Sequence, residues 1–225
     1  EYKILKNLKH PNIIKIYGFF LGDKKHAPAI LLEYCKCNLE KAIQYLDDID
    51  LVHIIYEICH AMMYIHKMKI IHRDLKTTNI LIDSNKHVKI CDFGISKAMN
   101  MTTTTSTSTY THGVGTFLYM APELFKPDSE IDDKVDVYAF GVVAYFILTK
   151  GTYPKRCGAG NLEKTTMPKN INQISKRLIK SCWNQLPENR PSFEQIIKII
   201  VENNFLLIDG IDDKIPTLKK QLGLK

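Results

Sequence analysis

No apolar run in this 225-residue chain reaches the ~20 residues that a membrane-spanning helix requires. The longest near-continuous one, Val135 through Leu148, has the length and all-round apolarity of a helix buried inside a protein. Glycine is sparse, with 11 residues. Its densest stretch, Gly158-Ala159-Gly160, does not fit a strand–loop–strand cover over nucleotide phosphates and reads as a surface loop. The six cysteines (35, 37, 59, 91, 157 and 182) lie mostly in apolar runs, which suits reduced thiols and predicts no disulfides. Cys35-Lys36-Cys37 has no second cysteine pair or histidine pair at zinc spacing beside it. Acidic residues are the minority: 24 Asp and Glu against 31 Lys and Arg give a net charge of +7. The basic residues are scattered, without aromatic interleaving or a nucleic-acid motif, so they read as solvated surface and no nucleic-acid partner is expected. Signal-peptide and lipidation sequences are also missing. An intracellular, cytoplasmic chain is expected, or the cytosolic part of a larger protein.

Clear periodicities organise the rest. Leu51, Ile54, Ile55, Ile58, Met62 and Ile65 recur at helical spacing and predict one long helix. Val135–Leu148 is a second helix, and Asp136 inside it is costly to bury unless it is bonded. Later helices are predicted over Ile174–Trp183 and Phe193–Asn203, the last with Ser192 as N-cap after Pro191. Ile30 to Cys35 reads as a strand; Ile80–Asp83 and Val88–Ile90 read as a hairpin around Ser84-Asn85-Lys86. Beyond about Asn204 no motif is legible.

Three short motifs carry the chemistry. Ile71-His72-Arg73-Asp74-Leu75-Lys76-Thr77-Thr78-Asn79 is followed by Asp92-Phe93-Gly94 and then by Ala121-Pro122-Glu123. In this order, and at these intervals, they resemble a eukaryotic protein kinase catalytic domain, most similar to the tyrosine-kinase-like group of serine/threonine kinases. In-line phosphoryl transfer asks a protein mainly to position oxygens and neutralise charge, so acids, amides and a lysine fit the need. The resemblance implies an α+β kinase-like fold using ATP and Mg²⁺. By the same resemblance, Asp74 takes the proton of the substrate hydroxyl and Lys76 reaches the transferring phosphate. Asn79 and Asp92 hold metal, as hard oxygen ligands suit Mg²⁺. Backbone groups of Glu33 and Cys35 meet adenine, with Leu81 beneath it. Lys76 with Thr116, in the peptide platform before Ala121-Pro122-Glu123, implies serine or threonine acceptors in protein substrates.

The resemblance assigns structural roles as well. His72 and Phe93 belong to an apolar stack joining two lobes, completed by Leu5 and Ile16. Glu123 pairs with Arg190, a union favoured by bidentate geometry, and Asp136 anchors the backbone of the catalytic loop. Glu1 falls at the glutamate of the regulatory helix. Met101–His112, rich in threonine, falls at the activation loop; Arg73 and Lys97 would receive a phosphate placed on Thr111 or Thr109. Nothing before residue 71 matches a glycine-rich loop followed by Val-Ala-Ile-Lys. The expected organisation is therefore a partial kinase domain over 1–204, with 1–34 an N-lobe and hinge remnant and 35–204 the C-lobe, followed by an extension over 205–225. Activity of the 225 residues alone is expected to be low, and the rival reading is a catalytically inactive binding or scaffold module.

Overall fold

The structure, a computed structural model, describes residues 2–94, 96–98, 116–126, 129–155, 162, 167–168, 171–205 and 207–224. It opens with a single helical turn, α1 (Tyr2–Leu5), and an antiparallel hairpin of β1 (Ile16–Phe20) and β2 (Ala29–Leu32). β2 stops at Leu32, three residues short of the predicted end at Cys35. The pairing partner is used up there: the Glu33 N–H donates to the Lys15 carbonyl at 2.9 Å, while its carboxylate accepts the Lys15 N–H at 2.7 Å.

The long predicted helix is α3, Asp48–Lys67, which follows β3 (Cys37–Asn38) and the short α2 (Leu39–Ala42). A reciprocal capping box starts α3: Asp47 accepts the Asp50 N–H at 2.9 Å and Asp50 accepts the Asp47 N–H at 3.0 Å. All six residues of its predicted apolar stripe are fully buried. Burying side chains of that size stabilises the fold by about 1.5–3 kcal/mol each. The helix delivers the chain through β4 (Ile70–Ile71) and a 3₁₀ turn (Thr77–Asn79) to the hairpin of β5 (Ile80–Ile82) and β6 (Val88–Ile90). The register pairs Ile80 with Ile90 and Ile82 with Val88, so these four side chains bury together and leave Leu81 and Lys89 on the opposite face. Asp83 shapes the turn by accepting the N–H groups of Asn85 and His87 at 2.8 and 2.9 Å. β3 joins this sheet on the outside of β5, and β4 pairs with β7 (Lys97–Ala98).

α4 (Lys134–Leu148) is buried from Val135 to Leu148 and packs against α3 and α5 (Gln173–Cys182). α6 (Phe193–Glu202) begins at Ser192, whose hydroxyl accepts the Gln195 N–H in a second capping box. Beyond Asn204 the chain stays on the core: Phe205, Leu207, Ile211, Ile215 and Leu218 are buried, and α7 (Ile215–Gln221) lies against α3. The hydroxyl of Ser175 on α5 donates to the Leu207 carbonyl at 2.6 Å, fixing the start of that segment. No described helix is long and apolar enough to cross a membrane.

Candidate active site

Asp74 is the hub of a compact polar cluster. Lys76 Nζ donates to Asp74 Oδ2 at 2.6 Å, and the side-chain amide of Asn79 donates to the same oxygen at 2.8 Å and to the Asp74 carbonyl at 2.9 Å. The Asn79 amide also reaches Asp92 Oδ2 at 3.4 Å. Four residues spread over 19 positions thus share one locus, because β5 and β6 fold back on each other and return Asp92 to the end at which Asn79 begins. The Cys91 N–H donates to the Asn79 carbonyl at 3.0 Å and closes that end. Asp74 Oδ1 is buried and has no hydrogen-bond partner among the described residues. An unpartnered buried carboxylate oxygen costs free energy, so this one is poised to accept a proton donor from outside.

The loop geometry is forced from below. Asp136, fully buried on α4, accepts the His72 N–H and the Arg73 N–H, both at 2.8 Å, and bonds His66 Nε2 at 2.9 Å. Burial pushes its pKa up, but the bond and charge of His66, the nearby His72 and the backbone N–H groups outweigh that, and the carboxyl lies below its usual range. Two non-glycine residues flank the cluster in left-handed conformation, Arg73 at φ 68° and Asp92 at φ 65°. Each costs on the order of 1–2 kcal/mol, which the surrounding bonds must hold in place.

His72 is fully buried and burial pushes its pKa below the usual histidine value, against the pull of Asp136 and the Cys91 carbonyl. Its Nδ1 accepts the Asp74 N–H at 3.3 Å, so Nε2 carries the proton and donates to the Cys91 carbonyl at 3.1 Å. Its ring lies 4.8 Å from that of Phe93, centroid to centroid. Leu5 is buried in the same core as Phe93, and Ile16 packs against it.

The other sequence assignments fall as follows. Arg190 grips Glu123 with two parallel bonds of 2.6 and 2.8 Å, donates to the Asn184 carbonyl at 2.8 Å and stacks 5.0 Å from the Tyr138 ring centre. Leu81 is half-buried on the β5 face away from Ile80 and Ile82. Glu33 pairs with Lys89 at 3.4 Å, and burial pushes the Cys35 thiol upward. Thr116 opens a 3₁₀ turn, Thr116–Tyr119, and the backbone of Lys97 pairs with Ile71. Glu1, Thr109 and Thr111 lie outside the described residues.

Sequence reasoning missed one group of side chains. The Thr77 hydroxyl lies 2.9 Å from the Tyr119 hydroxyl and 2.7 Å from that of Tyr153, and Tyr153 donates to Glu40 at 3.0 Å. This network ties the catalytic-loop segment to the turn that follows Thr116. The signal was slight: Tyr119 lies within the same conspicuous run as Thr116, whereas nothing in sequence links Tyr153 or Glu40 to it.

Comparison with known proteins places the sequence in a family. The family model described as protein kinase domain matches residues 1–200. The mitogen-activated protein kinase kinase kinase dlk-1 of Caenorhabditis elegans is 37% identical over 211 residues, covering 87% of this chain and 22% of the relative. Mitogen-activated protein kinase kinase kinase 12 of Rattus norvegicus is 37% identical over 212 residues, with 88% and 23% covered. The RGS domain-containing serine/threonine-protein kinase A of Dictyostelium discoideum is 35% identical over 214 residues, with 88% and 18% covered. The chain spans about a fifth of the length of these curated relatives. A match of that extent, onto a chain whose Asp74, Lys76, Asn79 and Asp92 meet around one buried carboxylate, admits one conclusion: the chain belongs to the protein kinase family.

Proposed function

We propose that this domain transfers the γ-phosphate of ATP to serine or threonine hydroxyls of protein substrates, and that it falls in the tyrosine-kinase-like group. The observation that carries the reading is the division of labour within one carboxylate. Asp74 Oδ2 is occupied by Lys76 and Asn79, while Asp74 Oδ1 is buried without a partner. Oδ1 is thus the free acceptor for a substrate hydroxyl, and Oδ2 is the oxygen that fixes its direction. Lys76, held 2.6 Å from Asp74, keeps a cation at the point where charge builds on a transferring phosphoryl group.

The donor set fits Mg²⁺ in kind: the Asp92 carboxylate and the Asn79 side-chain amide oxygen are hard oxygen groups, carried by residues whose side chains meet where Asn79 Nδ2 donates to Asp92 Oδ2 at 3.4 Å. When bound, Mg²⁺ supplies charge neutralisation on the nucleotide phosphates. Asp92 and Asn79 would hold it, Glu33 and Cys35 would bind adenine through their backbones, and Leu81 would floor the pocket. Residues 1–34 are the N-lobe and hinge remnant and 35–204 the C-lobe in this reading. Thr116, at the start of the 3₁₀ turn that ends at Tyr119, would receive the acceptor segment.

The test is phosphotransfer to a mixed serine, threonine and tyrosine peptide library by the protein at its natural length. Asp74→Asn and Asp92→Asn should each lower kcat by at least about 10²–10⁴-fold, the range that proton transfer and charge positioning contribute. Circular dichroism and cooperative melting should remain those of the parent. Near-normal kcat in either folded variant, or a dominant tyrosine product, overturns the assignment.

A further inference from the structure

A second cluster of chemistry-bearing side chains lies away from Asp74, where α3 meets the β5–β6 turn. His53 and Glu57 are one helical turn apart on α3, and His87 closes the turn after Lys86. Glu57 Oε1 stands 3.4 Å from His53 Nε2 and 2.7 Å from His87 Nδ1, and the three ligand atoms all lie within 4.8 Å of one another. Two imidazole nitrogens and one carboxylate oxygen converging from two elements form the donor set of a three-ligand transition-metal site.

We infer that His53, Glu57 and His87 bind one Zn²⁺ ion that ties α3 to the β5–β6 hairpin, with the fourth position open to water. Ligand bonds of about 2.0–2.1 Å place neighbouring donors of a tetrahedral ion about 3.3 Å apart. The His53–Glu57 separation already meets that spacing. His87 has to withdraw by roughly half an ångström from Glu57 while its Nδ1 and His53 Nε2, within 4.8 Å of each other, close toward the same spacing; it sits on a turn, not a strand, where such a shift is accommodated.

Three features prepare the site. The second oxygen, Glu57 Oε2, accepts the Val88 N–H at 2.8 Å, which turns Oε1 toward the imidazoles; an outer partner of this kind orients a metal-binding carboxylate. The lysine next to His87 is neutralised, since Lys86 Nζ pairs with Asp50 at 2.6 Å. Access is asymmetric. The side chains of His53 and Glu57 are 12% and 10% exposed, whereas His87 is 44% exposed and forms the entry.

On binding, the ion takes the lone pairs of His53 Nε2, His87 Nδ1 and Glu57 Oε1, and any proton shared between them leaves to solvent; no oxidation state changes. The inference does not depend on phosphotransfer, so its failure and that of the kinase reading are separable. The experiment is titration of the metal-free protein with Zn²⁺ against a chromophoric chelator, repeated with His53→Ala and His87→Ala. Co²⁺ spectra and melting curves with and without Zn²⁺ complete it. The result expected is one Zn²⁺ per chain and a higher Tm with metal. Both variants should weaken binding by at least about tenfold, the loss that outer partners alone produce. The Co²⁺ spectrum should lack thiolate charge-transfer bands. No stoichiometric binding, binding kept by either variant, or a thiolate spectrum overturns the site and leaves Glu57 as a hydrogen-bonded staple between helix and hairpin.

Discussion

The Asp136 carboxylate lies 2.8 Å from the backbone nitrogen of Arg73, 63 positions earlier in the chain, and holds that residue at φ 68°. The other oxygen accepts the His72 N–H at 2.8 Å, so one buried acid sets the entry of the loop that carries Asp74. Asp136→Asn turns one of its two acceptor oxygens into a donor facing an N–H or His66. The variant should lose about 1–3 kcal/mol of stability. Phosphotransfer should fall in kcat more than in KM, since the loop carrying Asp74 is set through this contact. Urea unfolding alongside steady-state kinetics measures both; unchanged kcat with lowered stability would reduce Asp136 to a packing role.

Acid should expose the contribution of Glu57. Its folded-state pKa of about 2 lies below its ordinary 4.5, so its stabilisation is fully present above about pH 4.5 and is lost as pH falls toward 2. The depression corresponds to about 3 kcal/mol. Asp136, depressed in the same direction, acts with it over the acid range. Unfolding free energies taken between pH 6 and pH 2, with a chelator present to exclude metal, should decline over this window. Glu57→Gln should give a shallower acid limb from a lower starting stability.

Gly141 is dictated by its neighbour. A Cβ built there would sit 2.6 Å from Cδ1 and Nε1 of Trp183 and 2.9 Å from the Cys182 Cβ, all in the core. Alanine favours a helix over glycine by about 1 kcal/mol, yet overpacking costs about 1–3 kcal/mol or more. Gly141→Ala should therefore destabilise, with Tm falling by several degrees. A stabilised variant would mean that α5 yields more readily than its burial implies.

In the proposed reading, Arg73 is the receiver of a regulatory phosphate. Its Nε is buried without a hydrogen-bond partner among the described residues, and β4–β7 pairing brings the Lys97 backbone alongside Ile71. A phosphate on Thr111, or on Thr109, would pair with these cations and order the segment around them. Thr111→Ala and Arg73→Ala should each reduce the activity of the natural-length protein and should not be additive with each other. Full activity without phosphate between residues 101 and 112, together with indifference to Arg73→Ala, would remove the switch.

Local chemistry made much of this molecule legible in advance. The stripe from Leu51 to Ile65, the all-apolar Val135–Leu148 and the Ser192 cap each follow from periodicity or from a bond within four residues, and each forms as expected. The order of Asp74, Asn79, Asp92 and Glu123 likewise identified the family, because phosphoryl transfer fixes both residue types and their spacing.

What only the tertiary structure decided depends on partners distant in sequence. The end of β2 was set by Lys15 and not by the apolar run through Leu32. The segment after Asn204 found its place because Tyr56, Ser175 and α3 offer it a surface and an acceptor-seeking hydroxyl. Thr77, Tyr119, Tyr153 and Glu40, and equally His53, Glu57 and His87, are ordinary residues in sequence. They meet only because folding brings side chains distant in sequence within reach of one another.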